Sequence, residues 1–201
     1  MTDQRVRQER SVSVRLPGII LGVGLGGFVD GIFLHQVFQW HHMLSSAGSD
    51  NIGLRPYPTD TVYGLEINTL WDGLFHVVTW VCVLAGLALL YARVTHARGR
   101  LVTSPVLWGW ILVGWGLFNL VEGIIDHHLL AVHHVRPGPD QLWWDLGFLL
   151  LGAVLVVVGW LLATRSARSG FDRSGTGSGS NRRGTRSDAG RRGTDSDAGR
   201  S

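Results

Sequence analysis

Residues that bind metal ions or transfer protons are concentrated in a few parts of this 201-residue sequence. Imidazole is a common ligand of zinc, copper, iron and nickel, and carboxylates either join it as ligands or hold it in position. The combination therefore predicts a metal site wherever the fold gathers these side chains. The histidines are His35, His41, His42, His76, His127, His128, His133 and His134, and the carboxylates are Asp30, Asp72, Glu122, Asp126 and Asp145.

Two of these parts are similar to each other. Residues 29–42 read VDGIFLHQVFQWHH, and residues 121–134 read VEGIIDHHLLAVHH. The stretches that follow them also begin alike, with LWD at 70–72 and WWD at 143–145. The pattern predicts two pseudo-symmetric helical hairpins, related by an axis along the membrane normal. The matched polar residues are Asp30 with Glu122, His35 with His127, His41 with His133, and His42 with His134.

Four apolar stretches supply the elements that would position these residues. Each reaches the ~20 residues that an α-helix needs to cross the hydrocarbon core of a bilayer. We therefore predict an all-α integral membrane protein, a four-helix bundle that is formed by residues 16–164 and embedded in the lipid bilayer. The predicted helices are 17–40, 69–92, 105–128 and 142–164.

The distribution of arginine predicts the orientation in the membrane. Every basic residue is an arginine, and nearly all of them precede the first helix, separate the second from the third, or follow the fourth. Only Arg55 and Arg136 lie in the other two loops. The positive-inside rule then places both termini in the cytoplasm and the histidine-rich loops on the outer side of the cell (cytoplasmic) membrane. The basic excess fits anionic lipid headgroups, so no nucleic-acid partner is expected.

Residues 165–201 differ in composition from the rest of the chain. They consist mainly of Ser, Gly, Arg and Asp, and RRGTRSDAG at 182–190 recurs as RRGTDSDAG at 191–199. Such a segment buries too little apolar surface to offset the entropy lost on ordering, so we predict a disordered cytoplasmic tail. Residues 1–15 are predicted to form a short cytoplasmic segment before the first helix.

Several acidic residues are predicted to lie within the hydrocarbon region, where a charge near the helix centre costs about 2.5–3.5 kcal/mol. They must therefore face the bundle interior, be protonated, or pair with histidines or a bound cation. Steps of three and four residues place Gly24, Gly31 and His35 on one face of the first helix. Gly116 and His127 occupy the matching face of the third helix. We expect these two faces to pack together.

The histidines inside the predicted helices are the strongest candidates for metal ligands. Histidine pairs at the helix ends also fit ordinary residues of the membrane interface. The metal on this interpretation is copper, iron or zinc. Ligands are predicted at His35, His76, His127, Asp72, Glu122 and Asp126. Further ligands, or residues that orient ligands, are predicted at Asp30, His41, His42, His128, His133, His134 and Asp145.

Other functions fit the same residues. A b-type haem could be held by His35 and His127, which lie at equivalent depths. Intramembrane Asp, Glu and His also mark pathways for protons or small solutes, although four spans would need a homo-oligomer to enclose such a pathway. A membrane scaffold without a cofactor is the remaining alternative. No common catalytic motif identifies an enzymatic activity, because G-x-S-x-G, G-x-x-x-x-G-K and H-E-x-x-H are absent from the sequence. The sequence therefore does not decide whether the protein is an enzyme.

The strings VDGIFLHQVFQWHH and NLVEGIIDHHLLAVHHVRPG resemble a bacterial and archaeal family of predicted membrane proteins, domain of unknown function 2243. The resemblance covers residues 16–163 and leaves out the tail. It implies four spans and a histidine-rich outer face, and it implies no particular activity. Some members resemble genomic neighbours of cytochrome oxidase assembly factors. That likeness favours copper or haem, a link to respiratory metal or redox chemistry, and respiratory-complex assembly factors as partners.

Overall fold

The computed structural model describes residues 13–46, 57–96 and 104–176, with side chains as far as residue 166. Helices account for most of these residues, and none of them forms a strand. The predicted all-α fold is therefore confirmed. The elements are α1 (Arg15–Val29), a first π-helical segment (Asp30–Val37), α2 (Val62–His96), α3 (Ser104–Glu122), a second π-helical segment (Gly123–Leu129) and α4 (Gln141–Thr176).

Four helical stretches are long and apolar enough to cross a membrane, as the sequence predicts. Each π-helical segment continues the α-helix before it, so the first and third spans contain both kinds of helix. Large apolar side chains such as Trp80, Leu150 and Val157 are exposed on the outside of the helices, where lipid would cover them. The spans are Arg15–Val37, Val62–His96, Ser104–Leu129 and Gln141–Ser166.

The helices lie side by side in the order α2, α1, α3, α4. α1 packs against α2 and α3, and α3 packs against α1 and α4, whereas α2 and α4 do not pack on each other within the described residues. The two hairpins therefore meet through α1 and α3. The central position of α1 is reflected in its burial. In the apolar stretch of the span that contains α1, 50% is buried, compared with 11% in α2.

Glycines let α1 and α3 approach each other closely. A Cβ atom on Gly22 would lie 2.8 Å from the Cα of Gly114, and one on Gly114 would lie 2.9 Å from the Cα of Gly22. Real side chains do not make Cβ contacts this short. A side chain at either position would therefore push the two hairpins apart, as it would in other closely packed membrane helices.

The glycine faces that were predicted to join α1 and α3 have different partners. Gly24 lies against Thr79 of α2, and Gly116 lies against Gly152 of α4. The predicted contact between these two faces is therefore wrong. The reason is that α1 carries small residues on two faces, and helical phase alone does not tell which neighbour each face meets.

The largest differences from the predicted helix boundaries are at the start of α2 and at the end of α4. α2 begins at Val62 instead of 69, and α4 continues to Thr176 instead of ending at 164. Residues 165–176, predicted as the start of a disordered tail, are thus helical, because extending an existing helix costs far less than nucleating one. The rest of the predicted tail, and the predicted N-terminal segment as far as residue 12, lie outside the described residues.

Candidate metal centre

Each of the two central spans changes from α-helix to π-helix where its polar residues begin. Hydrogen bonds in a π-helix join residues five apart, so such residues lie on nearly the same side. Asp30 and His35 have this spacing, and so do Glu122 and His127. Nε2 of His35 accordingly lies 3.1 Å from Oδ2 of Asp30. The π-helical geometry therefore aims an acid and a histidine from each hairpin into the bundle.

A sharp turn follows each π-helical segment. Gln39 has a φ angle of 51° and Ala131 one of 48°, both in the left-handed region that side chains rarely adopt. Such a conformation costs roughly 1–2 kcal/mol per residue. The turns reverse the chain so that His41 and His133 point back into the bundle, where their exposed fractions are 2% and 0%.

Four histidine rings fill the space between the two hairpins. The rings of His41 and His133 are stacked, with centroids 4.7 Å apart. His35 meets His41 edge-on at 4.5 Å, and His127 meets His133 edge-on at 4.9 Å. All four side chains are buried. These residues, His35, His41, His127 and His133, are termed the histidine cluster.

Backbone carbonyls fix the protonation of the two central rings. Nδ1 of His41 lies 2.8 Å from the carbonyl oxygen of Val135, and Nδ1 of His133 lies 3.2 Å from that of Met43. Since a carbonyl oxygen only accepts hydrogen bonds, each Nδ1 must carry the proton and donate it. The neutral ring then has a free lone pair on Nε2. The Nε2 atoms without a hydrogen-bond partner are those of His35, His41, His127 and His133.

Asp72 of α2 orients the histidines of the first hairpin. Its carboxylate accepts hydrogen bonds from Nδ1 of His35 at 2.9 Å and from Nδ1 of His42 at 2.6 Å. The backbone N–H of Met43 donates a third hydrogen bond at 2.9 Å. Asp72 thereby turns the Nε2 atom of His35 towards the cluster and holds the loop that carries His42. Outer partners of this kind are typical of metal-binding histidines.

Asp145 of α4 has the corresponding role in the second hairpin. Its carboxylate accepts hydrogen bonds from Nδ1 of His134 at 2.8 Å and from the backbone N–H of Val135 at 2.9 Å. Nδ1 of His127 lies 3.5 Å from the same carboxylate. In the alignment of the two hairpins, Asp145 matches Asp72, and His127 and His134 match His35 and His42.

Two buried carboxylates complete the interior of the site. Asp30 is 4% exposed and Glu122 is 5% exposed, and apart from the contact between Asp30 and His35 their carboxylate oxygens have no hydrogen-bond partner. The closest approach of Glu122 to the histidines is 3.5 Å, between Oε1 and Nε2 of His133. One oxygen of Asp30 and one of Glu122 lie within 4.8 Å of each other. Two ionised carboxylates at such a distance in a low-dielectric interior repel each other unless a proton or a cation lies between them.

Burial keeps the two central histidines uncharged. Burial lowers the pKa of His41 to about 4. Burial also lowers the pKa of His133 well below its usual value. A histidine is neutral at a pH above its pKa, so both rings keep a free lone pair at neutral pH. Protons therefore compete only weakly with a metal ion for these nitrogens.

Several ligand atoms lie close enough to share one ion. Three overlapping groups, each of three residues, have ligand atoms that all lie within 4.8 Å of one another. Nitrogen and oxygen ligands bind zinc at about 2.0–2.2 Å, so small movements would bring each group to binding distance. The groups are His35–His41–His133, Glu122–His127–His133 and Asp30–His35–Glu122.

Three of the residues predicted to bind or orient a metal are not members of these groups. Nδ1 of His76 lies 2.7 Å from the carbonyl oxygen of Asp72, one turn back on its own helix. His128 is exposed, and its Nδ1 lies 2.7 Å from the carbonyl oxygen of Gly123. Asp126 is half-buried. None of these three belongs to a group that could hold an ion among the described residues.

The model of a family of predicted membrane proteins, domain of unknown function 2243 (DUF2243), matches residues 17–166. The chain belongs to the DUF2243 family. The matched region includes all four spans, the histidine cluster and both orienting aspartates. No curated protein and no solved structure matches the chain.

One sequence feature of this DUF2243 protein indicates the histidine cluster, namely the spacing between an acidic residue and a histidine. A search for α-helical periodicity does not detect it. The step of five residues from Asp30 to His35 recurs from Glu122 to His127. In an α-helix this step would separate the two side chains by about 140°, but in a π-helix it aligns them. A repeated acid–histidine spacing of five thus indicates π-helical turns.

Asn68 is a buried positioning residue that carries no signal in the sequence. Its side chain is fully buried, and its Oδ1 accepts a hydrogen bond from the backbone N–H of Leu44 at 2.9 Å. Its Nδ2 donates to the carbonyl oxygens of Tyr57 and Gly64, both at 2.9 Å. Asn68 therefore ties the loop after His42 to the first turns of α2.

Proposed function

We propose that this protein is a membrane metalloprotein that binds a transition metal, copper, iron or zinc, within the histidine cluster. One observation carries the proposal: four buried Nε2 atoms face a shared interior and make no hydrogen bond of normal geometry, although that of His35 lies 3.1 Å from Oδ2 of Asp30. Apart from that contact, the carboxylates beside them, Asp30 and Glu122, have no hydrogen-bond partner. Buried polar atoms are rarely left in this state, and a bound cation would satisfy nitrogen and oxygen together.

Protons are a poorer explanation for the same arrangement. A proton on Asp30 or Glu122 would provide a single hydrogen-bond donor, whereas the interior contains more unpartnered acceptors than two protons can serve. Charging His41 or His133 is opposed by burial, as their lowered pKa values indicate. A divalent ion neutralises both carboxylates and accepts several lone pairs at once.

The proposed ligands come in matched pairs, one member from each hairpin. We infer that the hairpins are internal repeats and that their pseudo-twofold axis passes through the histidine cluster. Two histidines and one carboxylate from each hairpin are enough for one ion, and they resemble the paired ligand sets of di-metal helical bundles. The pairs are His35 with His127, His41 with His133, and Asp30 with Glu122.

The packing of the imidazoles favours an ion over b-type haem. A haem macrocycle requires a flat slot between its two axial histidines. The rings of His41 and His133 instead lie between His35 and His127, stacked on each other at 4.7 Å. These rings leave no slot for a macrocycle between His35 and His127.

The proposed centre faces the outer side of the cell membrane, with both termini in the cytoplasm. The support for this orientation is the concentration of arginine at the opposite end of the helices. Copper or iron at this position would suit redox chemistry or the handling of metal for a respiratory complex. Zinc would suit a structural role, because it has no redox chemistry.

Elemental analysis together with a visible spectrum tests the proposal. The full chain is purified in detergent without a histidine tag, so that no added ligand contributes metal. We expect stoichiometric copper, iron or zinc and no Soret band. A Soret band would indicate that the protein binds haem instead of a metal ion. Protein that holds neither metal nor colour after incubation with each metal would contradict the proposal and favour a proton relay or a scaffold.

The orienting aspartates give a more specific prediction. Asp72→Asn and Asp145→Asn should each weaken metal binding by about 10–100-fold, because the neutral amide holds the Nδ1–H groups of the ligands less strongly. Affinity is measured by competition with a chromophoric chelator. The matched control is Asp140→Asn, an exposed position just before α4, which should bind metal as the unmodified protein does. Unchanged affinity in both orienting variants would contradict this role.

A further inference from the structure

The site contains more ligands than one ion can bind in this arrangement. An ion that holds its ligands at about 2.0–2.2 Å cannot contact two ligand atoms that are more than ~4.4 Å apart. Among the described residues, no group with ligand atoms within 4.8 Å of one another has more than three members, although six residues take part in these groups. A single ion would therefore leave three of the six residues without an ion.

The ligands that one ion leaves unused form a second, equivalent set. One of the three groups belongs entirely to the second hairpin, namely Glu122–His127–His133. An ion bound there leaves the matching residues of the first hairpin buried and without an ion. Those residues are Asp30, His35 and His41.

His35 is placed to hold a second ion together with its neighbours. It shares one group with His41 and another with Asp30. Its Nε2 lies 3.1 Å from Oδ2 of Asp30, and its ring meets that of His41 edge-on with centroids 4.5 Å apart. Its Nδ1 donates to Asp72, so Nε2 is the atom that can bind an ion. The first hairpin thus offers two imidazoles and one carboxylate to a second ion.

Glu122 is the residue that can join two ions. A histidine whose Nδ1 donates to a backbone carbonyl offers only its Nε2 and binds one ion, as in His41 and His133. A carboxylate has two oxygens and can bind one ion with each of them. Glu122 shares one group with His133 and another with His35, so it reaches ligands of both hairpins.

The charge of the interior also fits two ions. In the described part of the chain, the ion-pair partners of the four buried carboxylates are all histidines. With neutral histidines, two divalent ions balance the four negative charges, whereas one ion leaves two charges uncompensated, at a high cost in a buried site. These carboxylates, those of Asp30, Asp72, Glu122 and Asp145, are between 1% and 5% exposed.

We propose that the histidine cluster and its carboxylates bind two divalent transition-metal ions, one for each hairpin, joined by the carboxylate of Glu122. Ions that share ligands in this way lie about 3.5–4 Å apart in other two-metal sites. The inference rests on the proposed metal function, because the same residues bind the metal. The first ion is bound by Asp30, His35 and His41, and the second by Glu122, His127 and His133.

Copper(II) is the probe that tests this proposal, because it binds nitrogen and oxygen ligands more tightly than zinc or iron(II) does. The full chain in detergent, without a histidine tag, is loaded with copper(II) and dialysed against a weak chelator. Copper content and the EPR spectrum are then measured. We expect two coppers per chain and an EPR intensity well below that of two isolated ions, since ions about 3.5–4 Å apart couple magnetically.

Single variants should separate the two ions. His127→Ala should retain one copper per chain with the EPR signal of an isolated ion, because the ligands of the first hairpin remain. His35→Ala should give the same result for the other ion. The matched control is His128→Ala, an exposed neighbour of His127, which should retain two coupled coppers. His127→Gln, which keeps a polar side chain, replaces His127→Ala if that variant does not fold.

The outcomes distinguish this inference from the proposed function. One copper per chain in the unmodified protein, with the EPR signal of an isolated ion, overturns the second ion and leaves the metal centre standing. Two coppers without magnetic coupling also overturn the inference, because the ions then do not share Glu122. A chain that retains no copper overturns the metal centre itself.

Discussion

His41→Ala and His133→Ala should each abolish stoichiometric metal binding, with affinity falling by more than about 100-fold. These two rings form the stacked centre of the histidine cluster, and each offers a free Nε2 lone pair to a shared interior. Loss of a residue that merely orients a ligand costs about 10–100-fold, so loss of a central ligand should cost more. The measurement is metal content after dialysis against a weak chelator.

Metal content also tests whether the two hairpins contribute equally to the metal centre. His35→Ala and His127→Ala should reduce metal binding by comparable amounts, because the repeat makes these residues equivalent. The matched control is His128→Ala, which removes an exposed neighbour of His127 and should leave the metal content unchanged. Metal content that is unchanged in both outer variants would contradict a symmetric centre. A loss of metal in the control would indicate that the variants lose metal because they misfold, and not because a ligand is missing.

Gly22→Ala and Gly114→Ala should separate the hairpins and lower stability strongly. An added Cβ at either position would lie under 3.0 Å from the backbone of the facing helix, which cannot move aside without shifting the helix. Overpacking of this kind costs about 1–3 kcal/mol or more. Since α1 and α3 lead directly into the two segments that contain the proposed ligands, the metal should be lost as well. Thermal unfolding in detergent and metal content measure the two effects.

The controls for this prediction are glycines in open positions. Gly73→Ala and Gly147→Ala add a Cβ that meets nothing within 4 Å. Alanine favours a helix over glycine by roughly 0.5–1 kcal/mol, so these variants should be as stable as the unmodified protein or slightly more stable. Equal melting temperatures for Gly22→Ala and Gly73→Ala would contradict the close contact between α1 and α3.

The membrane fold could be predicted because its cause is local. A helix crosses a bilayer when about 20 consecutive residues are apolar, and this property is visible in each stretch by itself. The sequence predicted the ends of the helices less accurately than their number. α2 begins at Val62, and α4 continues to Thr176 into a segment rich in polar residues. Extension beyond an apolar stretch depends on helix propagation, which hydropathy does not report.

The chemistry of the site could be predicted only in part. The cost of burying Asp30 and Glu122 already indicates that they face an interior with histidines or a cation. His76 was placed among the ligands because it is four residues from Asp72, but it belongs to none of the groups that could hold an ion among the described residues. His41 and His133 were ranked lower, since residues near helix ends usually meet the interface.

Sequence alone indicated that four helices are long and apolar enough to cross a membrane, and that two similar segments contain paired acids and histidines. Both conclusions follow from composition and from a comparison of the chain with itself. Only the tertiary structure decided which histidines meet. The π-helical segments rotate His35 and His127 inward, and left-handed turns at Gln39 and Ala131 send His41 and His133 back into the bundle. These local distortions are stabilised by contacts between distant residues, so no single segment of the sequence specifies them.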